Sequence, residues 1–151
     1  MAYNNALSAY KETRIRTASQ GQLIIMLYDE ALKQLERSLE LIGLNMSGKK
    51  DPSRLETIGK AVVKARDIIT ELMVSLDFDQ GGEIAKNLFA LYTWFNKELL
   101  EAHMNMDLAR ITVVKNMLGS LKSAWVEVSA RTGAESLSNQ DRPVLGVNIA
   151  G

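Results

Sequence analysis

The sequence predicts an all-α protein, an antiparallel up-down four-helix bundle, and two observations support this. The 151-residue chain has only two prolines, Pro52 and Pro143, so long stretches can stay helical without interruption. Within those stretches apolar residues recur three and four positions apart, which places them on one face of a helix. No stretch alternates apolar and polar residues in the manner of a half-buried strand. The short connections between the helices favour antiparallel neighbours.

The first predicted helix runs from about residue 20 to residue 42 and ends at Gly43. Ser19 is the predicted N-cap, because its hydroxyl is placed to accept a hydrogen bond from the Gln22 amide while the Gln22 side chain reaches back to the Ser19 amide. This cap fixes where the helix starts. Ala18 before the cap and Leu23 in the helix are placed to form a hydrophobic staple, which directs the preceding segment back towards the helices.

The other three predicted helices follow from the remaining breaks in the sequence. Helix two begins near Pro52 after the capping residue Asp51, and helix three runs from Glu83 to about His103 after a turn at Gly81-Gly82. Helix four follows. The apolar seams of helices two, three and four are, in turn, Leu55, Ile58, Val62, Ala65, Ile69, Leu72 and Leu76; Ile84, Leu88, Leu91, Phe95, Leu99 and Ala102; Ile111, Val114, Leu118, Leu121, Trp125 and Val128.

All four predicted helices carry more apolar residues than a bundle seam requires. In helix one the apolar arc, which includes the run from Leu23 to Tyr28, covers about 160° of the helix surface. Single exposed apolar residues are ordinary, but a surplus on every helix indicates a binding surface. The residues outside the seams are Met26, Val63, Val74, Phe89, Trp94, Leu100, Val113, Met117 and Ala124.

Composition excludes several classes of protein. Eighteen basic residues balance eighteen acidic ones, so the chain lacks the positive charge expected of a nucleic-acid-binding protein. It has no cysteine, which rules out disulfides and thiolate metal sites, and no secretory signal is recognisable. Its longest apolar runs fall far below the ~20 residues of a membrane span. We expect a cytoplasmic protein that binds neither nucleic acid nor membranes.

Catalytic signals are weak. His103 is the only histidine and lies near the end of helix three, where a structural or solvated role is expected. A di-iron bundle needs Glu-x-x-His on two helices, and the spacing from Glu101 to His103 is too short. Ser19 and Ser120 have no suitably spaced base. We therefore predict no enzyme activity, no cofactor and no metal site.

Three blocks of sequence carry a family resemblance: "YKETRIRTASQGQLIIMLYDEALKQL", "GGEIAKNLFALYTWF" and the later "LKSAW". In this order they resemble the FliS-type flagellin export chaperone family, over about residues 3–128. One departure is Glu30, where family members often have glycine. The resemblance implies a cytoplasmic bundle that binds the disordered C-terminal region of flagellin, prevents its premature polymerisation and helps deliver it to the flagellar type III export apparatus. A component of the export gate is then a further expected partner.

The predicted domain organisation has three parts: an N-terminal cap segment at 1–18, the bundle at 19–131 and a flexible tail at 132–151. We hypothesise that the cap segment covers the bundle and moves when flagellin binds. The tail has two interpretations. The simpler one is a frayed end that loosely covers the bundle; the more specific one is that its apolar residues dock near Val113 and Met117, in the surface that flagellin uses. The candidate flagellin-binding or groove-capping residues are Leu7, Tyr10, Ile15, Met26, Leu27, Tyr28, Val113 and Met117.

Two other classes of function remain alternatives at this point. A histidine phosphotransfer domain is also a four-helix bundle, although its histidine lies mid-helix, unlike His103. A self-associating structural bundle would bury the surplus apolar surface against a second copy of itself. Homodimerisation of a chaperone also stays open.

Overall fold

The computed structural model describes the backbone of residues 20–136 and the side chains of residues 21–131. Four long helices follow one another: α1 (Gln20–Ser47), α2 (Pro52–Val74), α3 (Phe78–Asn105) and α4 (Leu108–Ser136). Each helix packs against the next, and α4 returns to pack against α1. The helices therefore form a closed square of antiparallel neighbours. The predicted all-α four-helix bundle is confirmed.

The core lies along the axis of this square and is built from the predicted seams. Its largest fully buried side chains include Trp125, Tyr28, Tyr92 and Phe95. Most seam positions of α2, α3 and α4 are buried, as expected from their spacing. Three seam residues, Leu91, Leu121 and Val128, are only partly buried. Leu55 and Ile84 are exposed, because Leu55 lies in the first turn of α2 and Ile84 comes directly after the irregular start of α3, where fewer neighbouring side chains are available.

Helix α1 is longer than the sequence predicted. It continues through Gly43 and ends at Ser47, whose hydroxyl donates to the Gly43 carbonyl at 2.9 Å. A glycine inside a helix costs only about 1 kcal/mol relative to alanine. Ile42 and Asn45 are buried on either side of this glycine, and their packing outweighs that cost. The predicted end of helix one at Gly43 was therefore wrong.

Asp51 and Asp77 cap the helices that follow them, and of these two caps only the one at Asp51 was predicted. Asp51 accepts from the Ser53 amide at 2.9 Å, and the hydrogen bonds from Ser53 hold the pKa of the Asp51 carboxyl below its usual value. Asp77 accepts from the amides of Asp79 and Gln80, both at 3.0 Å, so α3 starts earlier than the predicted Glu83.

The break predicted at Gly81-Gly82 is present as a kink inside α3. Gly82 has φ 50° and ψ −124°, a conformation essentially restricted to glycine, so one short turn from Phe78 precedes the main body of the helix. At the other end Met106 takes a left-handed conformation, with φ 52°, and caps the helix.

Several predictions fall outside the described residues. These are the Ser19 cap, the N-terminal segment and the part of the tail after residue 136. Helix α4 itself extends to Ser136, past the domain boundary predicted at residue 131.

Candidate binding grooves on either side of helix α3

Helix α3 carries the densest apolar surface among the described residues. The large apolar side chains that it exposes are Phe78, Ile84, Phe89, Trp94, Leu100 and Met104. Helix α1, in contrast, exposes large apolar side chains only near its C-terminal end, at Leu44 and Met46. The surplus predicted for the whole bundle is therefore concentrated beside one helix.

One flank of α3 faces α2, and two contacts fix how these helices align. The Asn96 amide donates to the Thr70 hydroxyl at 3.2 Å, and a Cβ added at Gly59 would lie 3.1 Å from Nε2 of His103. Glycine thus lets the imidazole approach α2 closely. Because the helices are antiparallel, these two contacts also determine which other residues of α2 and α3 lie at the same level along the groove.

This alignment sets exposed apolar residues opposite each other along the α2–α3 groove. Val63 lies at the level of Leu100 near one end, and Val74 lies at the level of Phe89 near the other. The Phe78 ring packs edge-on against Phe89, with ring centroids 5.8 Å apart. The groove therefore has an apolar patch at each end, separated by the hydrogen bond between Asn96 and Thr70.

A cavity of about 320 Å³ continues this apolar surface at the end of the bundle where α2 begins. Leu55, which is one helical turn before Gly59, lines both the cavity and the approach to the groove. The apolar lining consists of Ile42, Met46, Pro52, Leu55, Ile58 and Met106.

The opposite flank of α3 faces α4. Arg110 on α4 pairs with Glu101 at 2.6 Å and lies 3.8 Å from Glu98, which fixes the alignment of these two helices. Trp94 is one turn before Glu98 and is matched to the stretch of α4 that contains Val113 and Met117. Trp94 and Val113 are exposed and Met117 is half-buried.

More apolar residues extend this α3–α4 groove towards the end of α4. Leu91 on α3 and Leu121 and Val128 on α4 are partly buried against the core, and Ala124 beside them is exposed. Ion pairs lie towards both ends of this groove: those of Arg110 where α4 begins, and that of Arg131 with Glu127 just beyond Val128. The rest of the groove offers an apolar strip.

The far side of the bundle, between α1 and α4, is polar. Lys115 pairs with Glu36 at 2.9 Å, and Lys122 pairs with Asp29. Val126, one turn after Lys122, is the large apolar residue exposed on this side of α4. Charged side chains thus cover the α1–α4 interface, whereas apolar side chains line both flanks of α3.

Inside the bundle, three polar aromatic groups join α1, α3 and α4. The hydroxyls of Tyr28 and Tyr92 share a hydrogen bond, and Nε1 of Trp125 donates to the Tyr28 hydroxyl at 3.1 Å. Burial raises the pKa of Tyr92 to about 12 and raises the pKa of Tyr28 further, with the adjacent Tyr92 adding to the rise. Both hydroxyls are therefore neutral at physiological pH, and their role is to hold three helices together.

The structure separates the candidate residues into distinct environments. Leu27 and Tyr28 are buried in the core and Met26 is half-buried, so these neighbours do not form one exposed patch. Val113 and Met117 do lie together, in the α3–α4 groove. Leu7, Tyr10 and Ile15 are outside the described residues. The assignment of these eight residues to client binding stays a prediction.

Five further residues line the grooves and are not among the eight predicted candidates. Each had been identified as apolar yet outside its helical seam, and each is exposed in the structure. An apolar residue outside the seam of its own helix is the feature of the sequence that could have identified these groove residues. The five residues are Val63, Val74, Phe89, Trp94 and Leu100.

Within residues 20–136, no helix is long and apolar enough to span a bilayer. Over the same part of the chain, no group of three or more histidine and carboxylate side chains is arranged to hold a metal ion. The arrangement beside α3 is suited to burying apolar side chains of another polypeptide.

Comparison with known proteins identifies the family. The family model described as flagellar protein FliS matches residues 3–132. The chain belongs to the FliS family. This is a family of chaperones and not of enzymes, so the expected absence of catalysis agrees with the membership.

Curated relatives named flagellar secretion chaperone FliS are similar to this chain over most of their length. The chain is 35% identical to the Escherichia coli protein over 118 residues, covering 77% of this chain and 80% of the relative. It is 33% identical to the Salmonella typhimurium protein, covering 80% and 84%. It is 26% identical to the Bacillus subtilis protein, covering 83% and 86%. The chain is accordingly a flagellar export chaperone.

Proposed function

We propose that this chaperone binds the C-terminal segment of flagellin in the grooves beside α3, prevents its premature polymerisation and assists its delivery to the flagellar export gate in the cytoplasm. The observation that carries the proposal is the exposure of large apolar residues along both flanks of α3, such as Leu100 on the flank facing α2 and Trp94 on the flank facing α4. No catalytic step is required, because the work of the chaperone is to cover a surface.

The chemistry of the grooves favours an amphipathic helix as the bound form of the client. Such a helix buries apolar residues spaced three and four apart in a groove between two helices. The grooves lie between antiparallel helices and have the length to hold several turns. Burial of apolar area contributes about 25 cal/mol per Å², so a few large side chains supply most of the binding free energy.

The two alternatives have less support. His103 lies against Gly59 of α2, where its imidazole is part of the helix packing, and the family is one of chaperones. A self-associating bundle would bury the same grooves against a second copy. A homodimer would therefore compete with the client for this surface.

Co-purification is the direct test. The chaperone is co-expressed with the flagellin of the same bacterium, and in parallel with flagellin that lacks its C-terminal region. We expect a one-to-one complex with the first and none with the second, measured by light scattering after size-exclusion chromatography. Equal recovery of both flagellins, or a chaperone dimer that excludes flagellin, would overturn the proposal.

A further inference from the structure

We propose that the apolar end of this chain's own C-terminal segment, residues 144–149, docks in the α3–α4 groove and competes there with the client. The docking depends only on the groove and the segment. The competition rests on the function proposed above, because it requires that flagellin uses the same groove. Two properties of the segment and two of the bundle support this assignment.

The segment is a feature of this chain beyond the family match, which ends at residue 132. After Pro143 the sequence reads "VLGVNIAG" and contains no charged residue. Its large apolar residues are Val144, Leu145, Val147 and Ile149. An uncharged apolar segment matches the middle of this groove, around Trp94, Val113 and Met117, which lies between the ion pairs of Arg110 at one end and the pair of Arg131 with Glu127 near the other.

The length of the chain permits the contact. Helix α4 ends at Ser136, and Met117 lies 19 residues back along it, or about 28 Å at 1.5 Å per residue. From Ser136, an extended chain reaches about 26 Å by Val144 and about 43 Å by Ile149, at ~3.3 Å per residue. Residues 144–149 therefore reach the level of Met117 and Trp94 when the chain turns back along α4.

The other surfaces of the bundle are less suitable for this segment. The α1–α4 side carries the ion pairs of Lys115 with Glu36 and of Lys122 with Asp29, which an apolar segment would have to cover. The α2–α3 groove lies beyond α3 from the end of α4, so the path to it is longer. The α3–α4 groove is the apolar surface that α4, the helix leading into the segment, itself lines.

Tethering makes even weak docking effective. A segment joined to its site by a short linker has an effective concentration in the millimolar range, so an intrinsic affinity that is only millimolar leaves the groove occupied about half of the time. The apparent affinity for the client is then the intrinsic affinity multiplied by the fraction of chains whose groove is free. We expect removal of the segment to tighten client binding about two-fold to ten-fold.

Trp94 reports on docking without any client. It is exposed in the groove, whereas Trp125, the second tryptophan of the chain, is fully buried. Quenching by acrylamide is compared for the full chain, a chain ending at Ser136 and the full chain carrying Leu145→Ser, Val147→Ser and Ile149→Ser. A Trp94→Phe version of each gives the contribution of Trp125. The matched control carries Ser138→Ala, Asn139→Ala and Gln140→Ala and keeps the apolar residues.

We expect Trp94 to be quenched more strongly in the shortened chain and in the serine variant, and to be unchanged in the control. The shortened chain and the serine variant should also bind the flagellin C-terminal peptide two-fold to ten-fold more tightly in calorimetry. Equal quenching of Trp94 in all of these chains would overturn the docking. Protection of Trp94 that rises with protein concentration would overturn the intramolecular form and indicate a second copy instead.

The docking of the segment and its competition with the client can be refuted independently of each other. A difference in quenching with equal peptide affinity would overturn the competition alone. If the peptide binds neither the full nor the shortened chain, the proposed function fails, whereas the quenching result still decides the docking.

Discussion

Helices α1 and α3 have similar apolar content in sequence, but the bundle buries most of the apolar residues of α1 and leaves several of those on α3 exposed. The apolar run at the start of α1 is largely buried, with Leu23, Ile24, Leu27 and Tyr28 all in the core. On α3, Phe89, Trp94 and Leu100 lie outside the core on two different flanks. A wide apolar arc therefore does not identify a binding surface until the neighbouring helices are placed.

The difference follows from how tightly each helix is held. Helix α1 packs closely against both α2 and α4, and ion pairs from Lys115 and Lys122 cover its edge with α4. Helix α3 has the less extensive contacts of the two, particularly with α4. The other three helices consequently leave the apolar flanks of α3 uncovered.

The largest expected effect comes from placing charge in both grooves. Trp94→Asp combined with Leu100→Asp should weaken flagellin-peptide binding by about 100-fold or more, because apolar contacts near the centre of an interface dominate affinity. Isothermal calorimetry measures the change. Val126→Asp is the matched control, since Val126 is 44% exposed, against 39% for Trp94 and 42% for Leu100, but faces the α1–α4 side. Comparable losses from the control and the double variant would remove the distinction between the two sides.

Substitutions of the buried tyrosines should have the opposite effect to those in the grooves: they should lower the free energy of unfolding and leave client affinity unchanged. Tyr28→Phe removes the acceptor of the Trp125 indole and leaves a buried donor unpaired, which costs about 1–3 kcal/mol. Tyr92→Phe leaves that bond in place, so it should cost less, about 1 kcal/mol. Urea unfolding measures both. A larger loss for Tyr92→Phe would contradict the central position assigned to Tyr28.

The same hydroxyls predict a fall in stability at alkaline pH. The pKa of Tyr92 is raised to about 12 in the folded chain, whereas an unfolded tyrosine has a pKa of about 10. The stabilising contribution is fully present below pH ~10 and is lost as the pH rises towards 12, by about 1.4 kcal/mol per pH unit for each such group. Urea unfolding at several pH values gives the slope. Tyr92→Phe should reduce it, and an unchanged slope would rule out this source.

The smallest expected effect concerns the ion pairs on the α1–α4 side. Lys115→Met should lower the free energy of unfolding by no more than about 1 kcal/mol, because its partner Glu36 is largely exposed and the pair is screened. Client affinity should be unchanged, and it should vary little between low and moderate salt because the proposed grooves are apolar. Strong salt dependence of binding, measured by calorimetry, would move the client site to this charged side.

Much of the fold was determined by the sequence alone, because helix formation and packing depend on local periodicity. The spacing of Ile58, Val62, Ala65 and Ile69 fixed which face of α2 is buried, and the cap at Asp51 fixed where that helix starts. The position of Gly43 was misleading. The cost of one glycine is small beside the packing of a whole turn, which local sequence does not reveal.

The family could also be predicted from the sequence, because three motifs occur in the order typical of it. Residues such as Val63, Phe89 and Leu100 could be recognised as unusual, because they are apolar and lie outside the seams of their own helices. Only the tertiary structure decided that Val63 lies at the level of Leu100, that Trp94 lies at the level of Val113, and that Tyr28 is an internal hydrogen-bonding group. The reason is physical: periodicity assigns each residue to a face of its own helix, but a groove is made by two helices. Its composition depends on their alignment, which long-range contacts such as the one between Asn96 and Thr70 determine.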